Sequence, residues 1–468
     1  MELTWNEVLA ATNAKVHSGK LRGNDAIPKI TTDTRKIEAG DLFIALRGEN
    51  FDGAEFAADA LQKGASAVLV GALLSKSVEK ALKNAKGAVL TVSNTLAAYQ
   101  AIAHAWRMKF GVPVVAITGS NGKTTTKDLT AAVLSARGTV CRTAANYNNE
   151  VGLPLTLLGM TGGDVAAVVE IGMRGLGQIA ALAPVAAPSI GIVTNVCEVH
   201  MELLGSIENI AKAKAELVQA IPVGGTVILN ADDARVAAMR SLAADGVRVL
   251  TYGIGADADV RAEALRLTSD GSQFMVTWNN ERHDYSIPLA GRHNVSNALA
   301  ALAAGFVLGY TPQEMQTGLR RLAVTKMRYE VHEVGAWTFI NDAYNASPSS
   351  MAAAVETTAN LYEGRKIAVL GDMLELGDAA EEAHRRIGRR AAELGFAALV
   401  TYGPQSRWVH AAAEAAGCPV CCHAETHEAA AEHLRTLLRD GDTVLFKGSR
   451  GMKMEAVIAL LTGEEAGH

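Results

Sequence analysis

A glycine-rich loop between a strand-like run and a helix-like run is the strongest chemical signal in the sequence. The run 114–117 is continuously apolar and mostly β-branched, and glycines follow it at positions 119 and 122. Glycine lets backbone N–H groups turn inward onto phosphate oxygens, and the N-terminus of the next helix favours an anion. We therefore predict that nucleotide phosphates bind at Thr118, Gly119, Ser120, Asn121, Gly122, Lys123, Thr124 and Thr125.

Two side chains of this loop suit ATP and its Mg²⁺ ion. Lys123 can reach the terminal phosphates, and the Thr124 hydroxyl can bind Mg²⁺. The usual phosphate loop has a glycine where this chain has Ile117, so the loop is a shortened variant. The alternative is a strand, a turn and a helix with chance glycines. It is disfavoured because strand, glycines, lysine and threonines all occur together.

Two further side chains follow apolar, strand-like runs. Glu170 ends the run 166–169, and His200 comes shortly after the run 189–195. Ligands of open α/β sheets bind at the carboxyl ends of the strands, and Mg²⁺ prefers hard oxygen ligands such as carboxylates. Glu170 is therefore a candidate Mg²⁺ ligand. A solvated acid at Glu170 and a packed or surface histidine at His200 are the simpler alternatives.

Composition restricts the class of protein. The 468 residues include 49% hydrophobic and 5% aromatic residues, carry a net charge of −5, and contain five cysteines. Length predicts several domains, and mixed charges give no case for a nucleic-acid or membrane partner. An odd number of cysteines argues against a disulfide framework. Because the sequence shows neither a signal peptide nor a run of about eighteen charge-free apolar residues, we expect a cytoplasmic protein.

The chain is organised as three successive α/β segments. The first, 1–93, has predicted strands at 29–32, 41–46, 67–70 and 88–92 and a helix at 54–63. The second, 94–323, has predicted strands at 114–118, 166–171, 189–195 and 226–230, a hairpin turn at 270–271, and helices at 95–109, 294–308 and 311–322. The third, 324–468, has predicted strands at 367–370, 398–402, 419–422 and 443–446.

This pattern predicts a three-domain α/β fold. It consists of a small N-terminal α/β domain, a central P-loop ATPase domain with a parallel sheet, and a C-terminal Rossmann-like α/β domain. The C-terminal segment contains no Gly-x-Gly-x-x-Gly, so we expect no dinucleotide site there.

Two clusters in the third segment could be mistaken for sites. Cys418-Pro-Val-Cys421-Cys422-His423, with His427 beyond it, resembles a zinc site, but a second Cys-x-x-Cys is missing and 420–422 is expected to be a buried strand. Acidic residues close together suggest a hydrolytic carboxylate pair, but a loop that contacts a ligand is the preferred interpretation; they are Asp372, Glu375 and Asp378.

The phosphate loop, Glu170 and the segment NVCEVHMELLGSIENIAKAKAE (195–216) resemble the Mur ligase superfamily of ATP-dependent amide-forming enzymes. The resemblance extends over essentially the whole chain. Other segments that carry it are TTDTRKIEAGDLFIALRGENFDG (31–53), NYNNEVGLP (146–154), GRHNVSNALAA (291–301), NDAYNASPSSM (341–351), VLGDMLELG (369–377) and FKGSRGMKME (446–455).

The resemblance implies a monomeric ligase of peptidoglycan synthesis that uses ATP and Mg²⁺. Such an enzyme adds D-alanyl-D-alanine to a UDP-N-acetylmuramoyl tripeptide through an acyl-phosphate intermediate. Two other ligases of the superfamily are alternatives, folylpolyglutamate synthase and the ligase that adds the third peptide residue. They are disfavoured because the first lacks an equivalent of 31–53 and the second usually carries Asp-Asn-Pro-Arg, which is absent here. A non-catalytic regulatory protein that binds nucleotide is a further alternative.

The resemblance also implies roles for the residues of the catalytic centre. Lys123 would hold the ATP phosphates, and Thr124 and Glu170 would hold one Mg²⁺. His200 would help to place a second metal ion, which Lys214 would bind after carbamylation of its amine. Lys212 is a less well aligned candidate for that lysine, and a solvated helix face is the alternative for both lysines.

The remaining implied roles concern the nucleotide and the substrates. Residues expected near adenosine and the phosphates are Asn294, Asn297, Arg328 and Asp342. Residues expected to bind the UDP-sugar are Asp33, Thr34 and Arg35. A central substrate loop is expected at Asn146, Asn148, Asn149 and Glu150. The third domain is expected to contact the incoming amine or the nucleotide through Tyr344, Asn345 and Ser347.

Overall fold

The computed structural model describes residues 2–48, 51–83, 85–323 and 325–463, in which strands and helices alternate. The strands are β1 (Leu3–Thr4), β2 (Lys15–Ser18), β3 (Ala26–Ile27), β4 (Ile30–Thr31), β5 (Leu42–Ile44), β6 (Ala67–Gly71), β7 (Ala88–Val92), β8 (Val114–Thr118), β9 (Thr139–Arg142), β10 (Asp164–Glu170), β11 (Ile190–Val193), β12 (Thr226–Asn230), β13 (Arg248–Gly253), β14 (Val260–Thr268), β15 (Gly271–Trp278), β16 (Glu281–Ile287), β17 (Glu330–Val334), β18 (Trp337–Asp342), β19 (Lys366–Gly371), β20 (Ala398–Tyr402), β21 (Cys421–Ala424) and β22 (Thr443–Lys447).

The α-helices are α1 (Trp5–Thr12), α2 (Ala57–Gln62), α3 (Lys76–Lys83), α4 (Thr95–Arg107), α5 (Lys123–Leu134), α6 (Gly152–Leu158), α7 (Gln178–Ala186), α8 (Met201–Leu204), α9 (Ile207–Ala220), α10 (Ala234–Ala238), α11 (Arg292–Val307), α12 (Pro312–Leu319), α13 (Pro348–Leu361), α14 (Ala380–Glu393), α15 (Ser406–Ala415), α16 (His427–Leu437) and α17 (Glu455–Thr462). Short 3-10 helices cover Thr34–Lys36, Gly53–Phe56, Ser135–Arg137, Met239–Leu242, Gly377–Ala379 and Arg450–Met452.

The chain divides into two compact units. The first comprises the chain up to Ala116 together with Gly138–Ile171 and Ala180–Ser189. The second comprises Ile117–Arg137, Gly172–Ile179 and the chain from Ile190 onward. Strand β8 belongs to both units, since its first three residues lie in the first and its last two in the second.

The first unit contains a five-stranded sheet in the order β2-β7-β6-β5-β4. Strands β7, β6, β5 and β4 are parallel, and β2 is antiparallel at the edge. Apolar side chains of this sheet, such as Phe43 and Val68, share a core with Leu61 of helix α2. The unit also contains the neighbouring strands β8, β10 and β9, of which β10 and β9 are parallel.

The second unit continues from β8 through β11, β12, β13 and β14, and the strands from β11 to β14 are parallel. An antiparallel extension, β14-β15-β16, ends this side of the sheet. The edge strand β16 is covered at one point by Gln316 of α12. Its side-chain amide accepts from Ser286 N at 2.9 Å and donates to Ser286 O at 3.1 Å, as a neighbouring strand would.

A six-stranded sheet in the order β17-β18-β22-β19-β20-β21 completes the second unit. All of its strands are parallel except β17. Successive residues of β19 pack into different cores, Ile367 and Val369 into one and Ala368 and Leu370 into the other. Helices therefore cover both faces of this sheet, which explains its continuously apolar strands.

Most predicted elements are confirmed. The structure has strands at Val114–Thr118, Thr226–Asn230 and Ala398–Tyr402 with the predicted ends, and the hairpin turn at 270–271 joins β14 to β15. The prediction for 419–422 was wrong by two residues, because the strand covers Cys421–Ala424. It is also an edge strand whose side chains are mostly half-buried, and the preceding Val420 is 36% exposed. An edge strand has one neighbour, so burial on both faces does not follow from its apolar sequence.

The predicted domain boundaries at 93/94 and 323/324 stay predictions. Residue 324, the chain ends at residues 1 and 464–468, and residues 49–50 of the motif 31–53 lie outside the described residues. Among the described residues, no helix is long and apolar enough to cross a membrane.

Candidate active site

The phosphate loop has the backbone that its glycines predict. It joins the fully buried strand β8 to helix α5 and holds Gly119 at φ +149° and Gly122 at φ +77°. A Cβ at Gly119 would lie 1.8 Å from Thr194 Oγ1, and one at Gly122 would lie 2.4 Å from Asn297 Oδ1. Both positions therefore require glycine for lack of space as well as for conformation.

Three residues that follow β11 hold the loop by hydrogen bonds and are called the clamp; they are Thr194, Asn195 and Cys197. Asn195 Oδ1 accepts from Asn121 N at 2.8 Å, and Thr194 Oγ1 donates to Asn121 O at 2.7 Å. Ser120 Oγ donates to Cys197 O at 3.1 Å and accepts from Cys197 N at 2.9 Å. Sequence reasoning did not find this clamp, because its residues lie more than seventy positions beyond the loop they hold.

Lys123 is the first residue of α5. Its Nζ donates to Gly119 O at 2.9 Å and Ser120 O at 3.0 Å, so its charge lies beside the loop backbone. Thr124 is only 4% exposed, and its Oγ1 accepts a hydrogen bond from Arg328 Nη2 at 2.9 Å. The predicted phosphate-binding residues Lys123, Thr124 and Arg328 thus lie together in the second unit.

Lys214 of α9 is buried, with 2% of its side chain exposed, whereas Lys212 is exposed. Burial, and then the charge of Lys123, hold the pKa of the Lys214 amine well below its usual range. The structure thus distinguishes the two lysines that the sequence left open, and only Lys214 has the burial that favours a neutral, nucleophilic amine. The solvated helix face weighed as its alternative is wrong for Lys214.

His200 has a carboxylate partner. Its Nδ1 is hydrogen-bonded to Glu375 Oε2, and about 29% of its side chain is exposed. Burial lowers its pKa and the Glu375 carboxylate opposes this, while Lys123 and Lys214 lower it further. His200 therefore lies close enough to both lysines for their positive charges to lower its pKa. The Glu375 contact orients the ring and leaves Nε2 available for another partner.

Glu170 lies in the first unit, as the last residue of β10. The residue is 2% exposed; its carboxylate accepts from Asn148 Nδ2 at 2.8 Å, and its backbone N donates to Thr143 Oγ1 at 3.0 Å. The solvated acid considered as its alternative is therefore wrong. Asn148, predicted in the substrate loop, orients this carboxylate.

The other predicted residues of the substrate loop also have local roles. Asn149 Oδ1 accepts from Gly152 N at 2.8 Å and from Val151 N, so Asn149 is bonded to the first residue of helix α6 and to the residue before it. Asn146 and Glu150 are exposed. Asn149 is exposed as well, so three of the four residues present surface that a substrate could contact.

The predicted UDP-sugar motif forms a compact turn in the first unit. Asp33 caps the 3-10 helix Thr34–Lys36, and its carboxylate accepts from Arg35 Nε and Nη2, both at 2.9 Å. These hydrogen bonds with Arg35 lower the pKa of Asp33 to about 2. Thr34 contributes its backbone carbonyl, which accepts from Lys63 at 3.3 Å.

Asn294 and Asn297 of α11 are buried near the loop. Asn297 Oδ1 accepts from Thr126 Oγ1 at 3.3 Å, and its Nδ2 donates to Asn294 Oδ1 at 3.2 Å. Asn297 therefore supports the start of α5. Asn294 and Arg328 line one cavity of about 490 Å³, which is within the size range of nucleotide sites. Other residues that line it are Ser269, Asp270, Thr325, Lys326 and Tyr329.

The predicted residues of the third domain lie around the loop and β22. Asp342 pairs with the buried Lys447 at 2.7 Å, and Lys447 also donates to Asn345 O at 3.0 Å. Ser347 caps α13, and its Oγ donates to Asn121 Oδ1 at 3.0 Å. The Asn345 side chain is exposed, and its Oδ1 accepts from Arg450 N. Tyr344 stacks on Arg328, with the guanidinium carbon 4.1 Å from the ring centroid.

The two clusters weighed as decoys have structural partners. His423 Nδ1 is bonded to Thr401 Oγ1 at 2.9 Å, and His427 Nε2 to Met452 O at 2.7 Å. Asp372, predicted to lie in a ligand loop, accepts from Ser406 N at 2.7 Å and from Ser406 Oγ at 2.8 Å. Within the described parts of the chain, no three His, Cys, Asp or Glu side chains are grouped to hold a metal ion.

Three family models match the chain in order. They are described as "Mur ligase family, catalytic domain" (residues 26–107), "Mur ligase middle domain" (117–305) and "Mur ligase, glutamate ligase domain" (327–450). A UDP-N-acetylmuramoyl-tripeptide--D-alanyl-D-alanine ligase of Bacillus subtilis is 39% identical over 435 residues, which are 92% of each chain. The chain belongs to the Mur ligase family.

Solved structures agree with this membership. A MurF of Acinetobacter baumannii superposes with a TM-score of 0.89 and 30% identity, over 98% of this chain and 99% of that one. A MurF ligase of Thermotoga maritima, solved in complex with ADP, gives a TM-score of 0.82 and 25% identity over 94% and 98% of the two chains. The predicted Mur ligase family, the predicted three-domain α/β fold and the predicted class of enzyme, a ligase, are confirmed.

Proposed function

We propose that this Mur ligase joins D-alanyl-D-alanine to a UDP-N-acetylmuramoyl tripeptide with hydrolysis of ATP to ADP and phosphate. The observation that carries the proposal is the likeness, over 92% of both chains, to a relative that bears the name of this activity. The product is the UDP-muramoyl pentapeptide, a precursor of peptidoglycan. The three-domain fold, the phosphate loop and the buried Lys214 all suit an amide ligase.

The first step activates a carboxylate, which is a poor acyl donor. The terminal carboxylate of the tripeptide attacks the γ-phosphorus of ATP, the bond to ADP breaks, and an acyl phosphate forms. This step brings several negative charges together. The Lys123 ammonium and the Arg328 guanidinium, both beside the loop, offset that repulsion.

The second step forms the amide. The amine of D-alanyl-D-alanine attacks the acyl carbon, phosphate leaves, and the nitrogen loses a proton. The amine must arrive neutral to act as a nucleophile. Water would hydrolyse the acyl phosphate, so contacts such as that of Ser347 with Asn121 serve to cover the loop during the reaction.

Mg²⁺ fits the side chains of the site. Glu170 offers a buried, oriented carboxylate and Thr124 a buried hydroxyl, both hard oxygen ligands. We propose that these two hold one Mg²⁺, and that His200 with carbamylated Lys214 holds another. The bound ions would lower the negative charge of the ATP phosphates. Carbamylation needs a neutral amine to attack CO₂, and the lowered pKa of Lys214 supplies it.

The finer assignments are proposals of the same kind. The adenosine would lie in the cavity lined by Asn294 and Arg328, with Asn297 and Asp342 supporting the site. The UDP-sugar would be bound by Asp33, Thr34 and Arg35, and the peptide and amine by Asn146, Asn148, Asn149, Glu150, Tyr344 and Asn345. We also propose a monomer working in the cytoplasm, where its five free cysteines stay reduced.

The test is phosphate release by the purified chain with MgATP, UDP-muramoyl tripeptide and D-alanyl-D-alanine, each omitted in turn. We expect release only with all three and a UDP-pentapeptide in the products. Turnover with a folate and glutamate, or with a shorter muramoyl peptide, would keep the family and replace the substrate. ATP binding without turnover on any of these substrates would favour a regulatory protein.

A further inference from the structure

Arg328 is a cation with few polar partners. Its Nη2 donates to Thr124 Oγ1 at 2.9 Å, while its Nε is shielded from solvent and meets no acceptor among the described residues. Within the same residues, no carboxylate forms an ion pair with Arg328. A guanidinium shielded in this way is costly unless another group stabilises its charge.

The ring of Tyr344 is that group. The guanidinium carbon lies 4.1 Å from the ring centroid, within the distance at which the negative face of an aromatic ring attracts a cation. The backbone N of Tyr344 donates to Met327 O at 3.2 Å, which ties the ring to the residue before Arg328. This backbone hydrogen bond holds the segment that carries Tyr344 next to the segment that carries Arg328.

The backbone beside Arg328 is strained. Met327 has φ +59° and Tyr329 has φ +54°, a region that non-glycine residues rarely adopt. Such conformations persist when the surrounding structure holds them, and they occur preferentially at ligand sites. The strain, the stack and the unsatisfied Nε all concern one side chain at the edge of the cavity that Arg328 lines.

We propose that Tyr344 is a positioning residue that acts through Arg328. Its ring holds the guanidinium against Thr124 of the phosphate-loop helix, so that the Nη groups of Arg328 can meet the phosphate oxygens of ATP. Tyr344 then contributes to ATP binding through Arg328 and not through a contact of its own with the nucleotide. This inference rests on the proposed function, since it needs ATP at the loop.

The proposal predicts that ATP binding depends on the aromatic ring of Tyr344 and not on its hydroxyl. Tyr344→Phe retains the aromatic face, and we expect its Kd for ATP to stay within about twofold of wild type. Tyr344→Leu removes the face, and we expect about fivefold weaker ATP binding and a similar rise in the KM for ATP.

The measurement is titration calorimetry of the full chain with MgATP, followed by phosphate-release kinetics. Tyr402→Leu is the matched control, because it removes a tyrosine ring at the end of β20 that packs at a tilt against the ring of His427. Its ATP affinity should stay at the wild-type value. Thermal unfolding of all three variants reports any loss of folding.

A double-mutant cycle distinguishes positioning from packing. In an Arg328→Gln background, where the cation is gone, Tyr344→Leu should weaken ATP binding no further. Equal losses in both backgrounds, or a loss for Tyr344→Phe as large as for Tyr344→Leu, would overturn the proposal. If wild type bound no ATP, the proposed function would fail. If wild type bound ATP and all variants matched it, only the role of Tyr344 would fail.

Discussion

Replacing Gly122 by alanine tests the geometry of the phosphate loop in energetic terms. At φ +77° a side chain costs about 1–2 kcal/mol relative to glycine. The new Cβ would also lie 2.4 Å from Asn297 Oδ1, so the amide must move. Asn297 then loses its hydrogen bonds with Thr126 and Asn294, at about 1 kcal/mol each. The sum is about 3–4 kcal/mol of stability.

A second glycine isolates the two contributions. Gly309 has φ +72°, and a Cβ there meets no atom within 4 Å among the described residues. We therefore expect Gly309→Ala to cost only the backbone part, about 1–2 kcal/mol. Urea unfolding of both variants measures the difference, and calorimetry with MgATP should show weaker binding for Gly122→Ala alone.

The outcome that refutes this reasoning is an equal loss of stability for Gly122→Ala and Gly309→Ala. It would mean that Asn297 moves aside without cost. A further check is Asn297→Ala in the Gly122→Ala background. Since that substitution removes the amide in the way, the two losses should not add.

Substitutions at three other residues test the remaining site. Lys214→Met should raise the free energy of unfolding in CO₂-free buffer at about pH 7. At this pH the Lys214 amine of the unfolded chain binds a proton, whereas burial disfavours the protonated amine in the folded chain. Because the pKa of Lys214 is lower in the folded state, the free energy of unfolding of wild type should rise as the pH rises above about 7. The difference in free energy of unfolding between variant and wild type should then shrink toward about pH 9.5. A difference that did not shrink would contradict the assignment. Glu375→Gln should lower kcat at limiting Mg²⁺ about tenfold, because the ring of His200 is then no longer oriented by a carboxylate. High Mg²⁺ should restore kcat. An unchanged dependence of kcat on Mg²⁺ would show that Glu375 does not contribute to metal binding. Asn149→Ala should cost about 1 kcal/mol through loss of the hydrogen bonds to Val151 N and Gly152 N, and Asn149→Asp should cost little, as measured by urea unfolding. Equal losses would exclude these hydrogen bonds as the cause.

The fold was predictable where strands are buried on both faces. Strand β12 is fully buried and was found with its observed ends, because four consecutive apolar or β-branched residues, 226–229, favour a buried strand. Strand β2, Lys15–Ser18, was missed because all four residues are exposed at a sheet edge. In the hairpin Glu330–Asp342, which was also missed, the same reason applies to the edge strand β17, whose residues are mostly exposed.

The site was predictable only in its local parts. The loop 118–125 is contiguous, so its conformation follows from its own glycines. Lys212 and Lys214 lie two residues apart on one helix, and only tertiary burial separates them. The contact of His200 with Glu375 joins residues 175 positions apart, and no spacing rule could reveal it.

The contact of Gln316 with Ser286 has a consequence for behaviour at high concentration. A free strand edge offers unpaired N–H and C=O groups on which another chain can add a strand and start aggregation. In β16 one such pair of groups is already satisfied by a side-chain amide, which cannot propagate a sheet. Charged residues occupy the first four positions of the strand apart from His283. Both features make this edge less available to a strand of another chain.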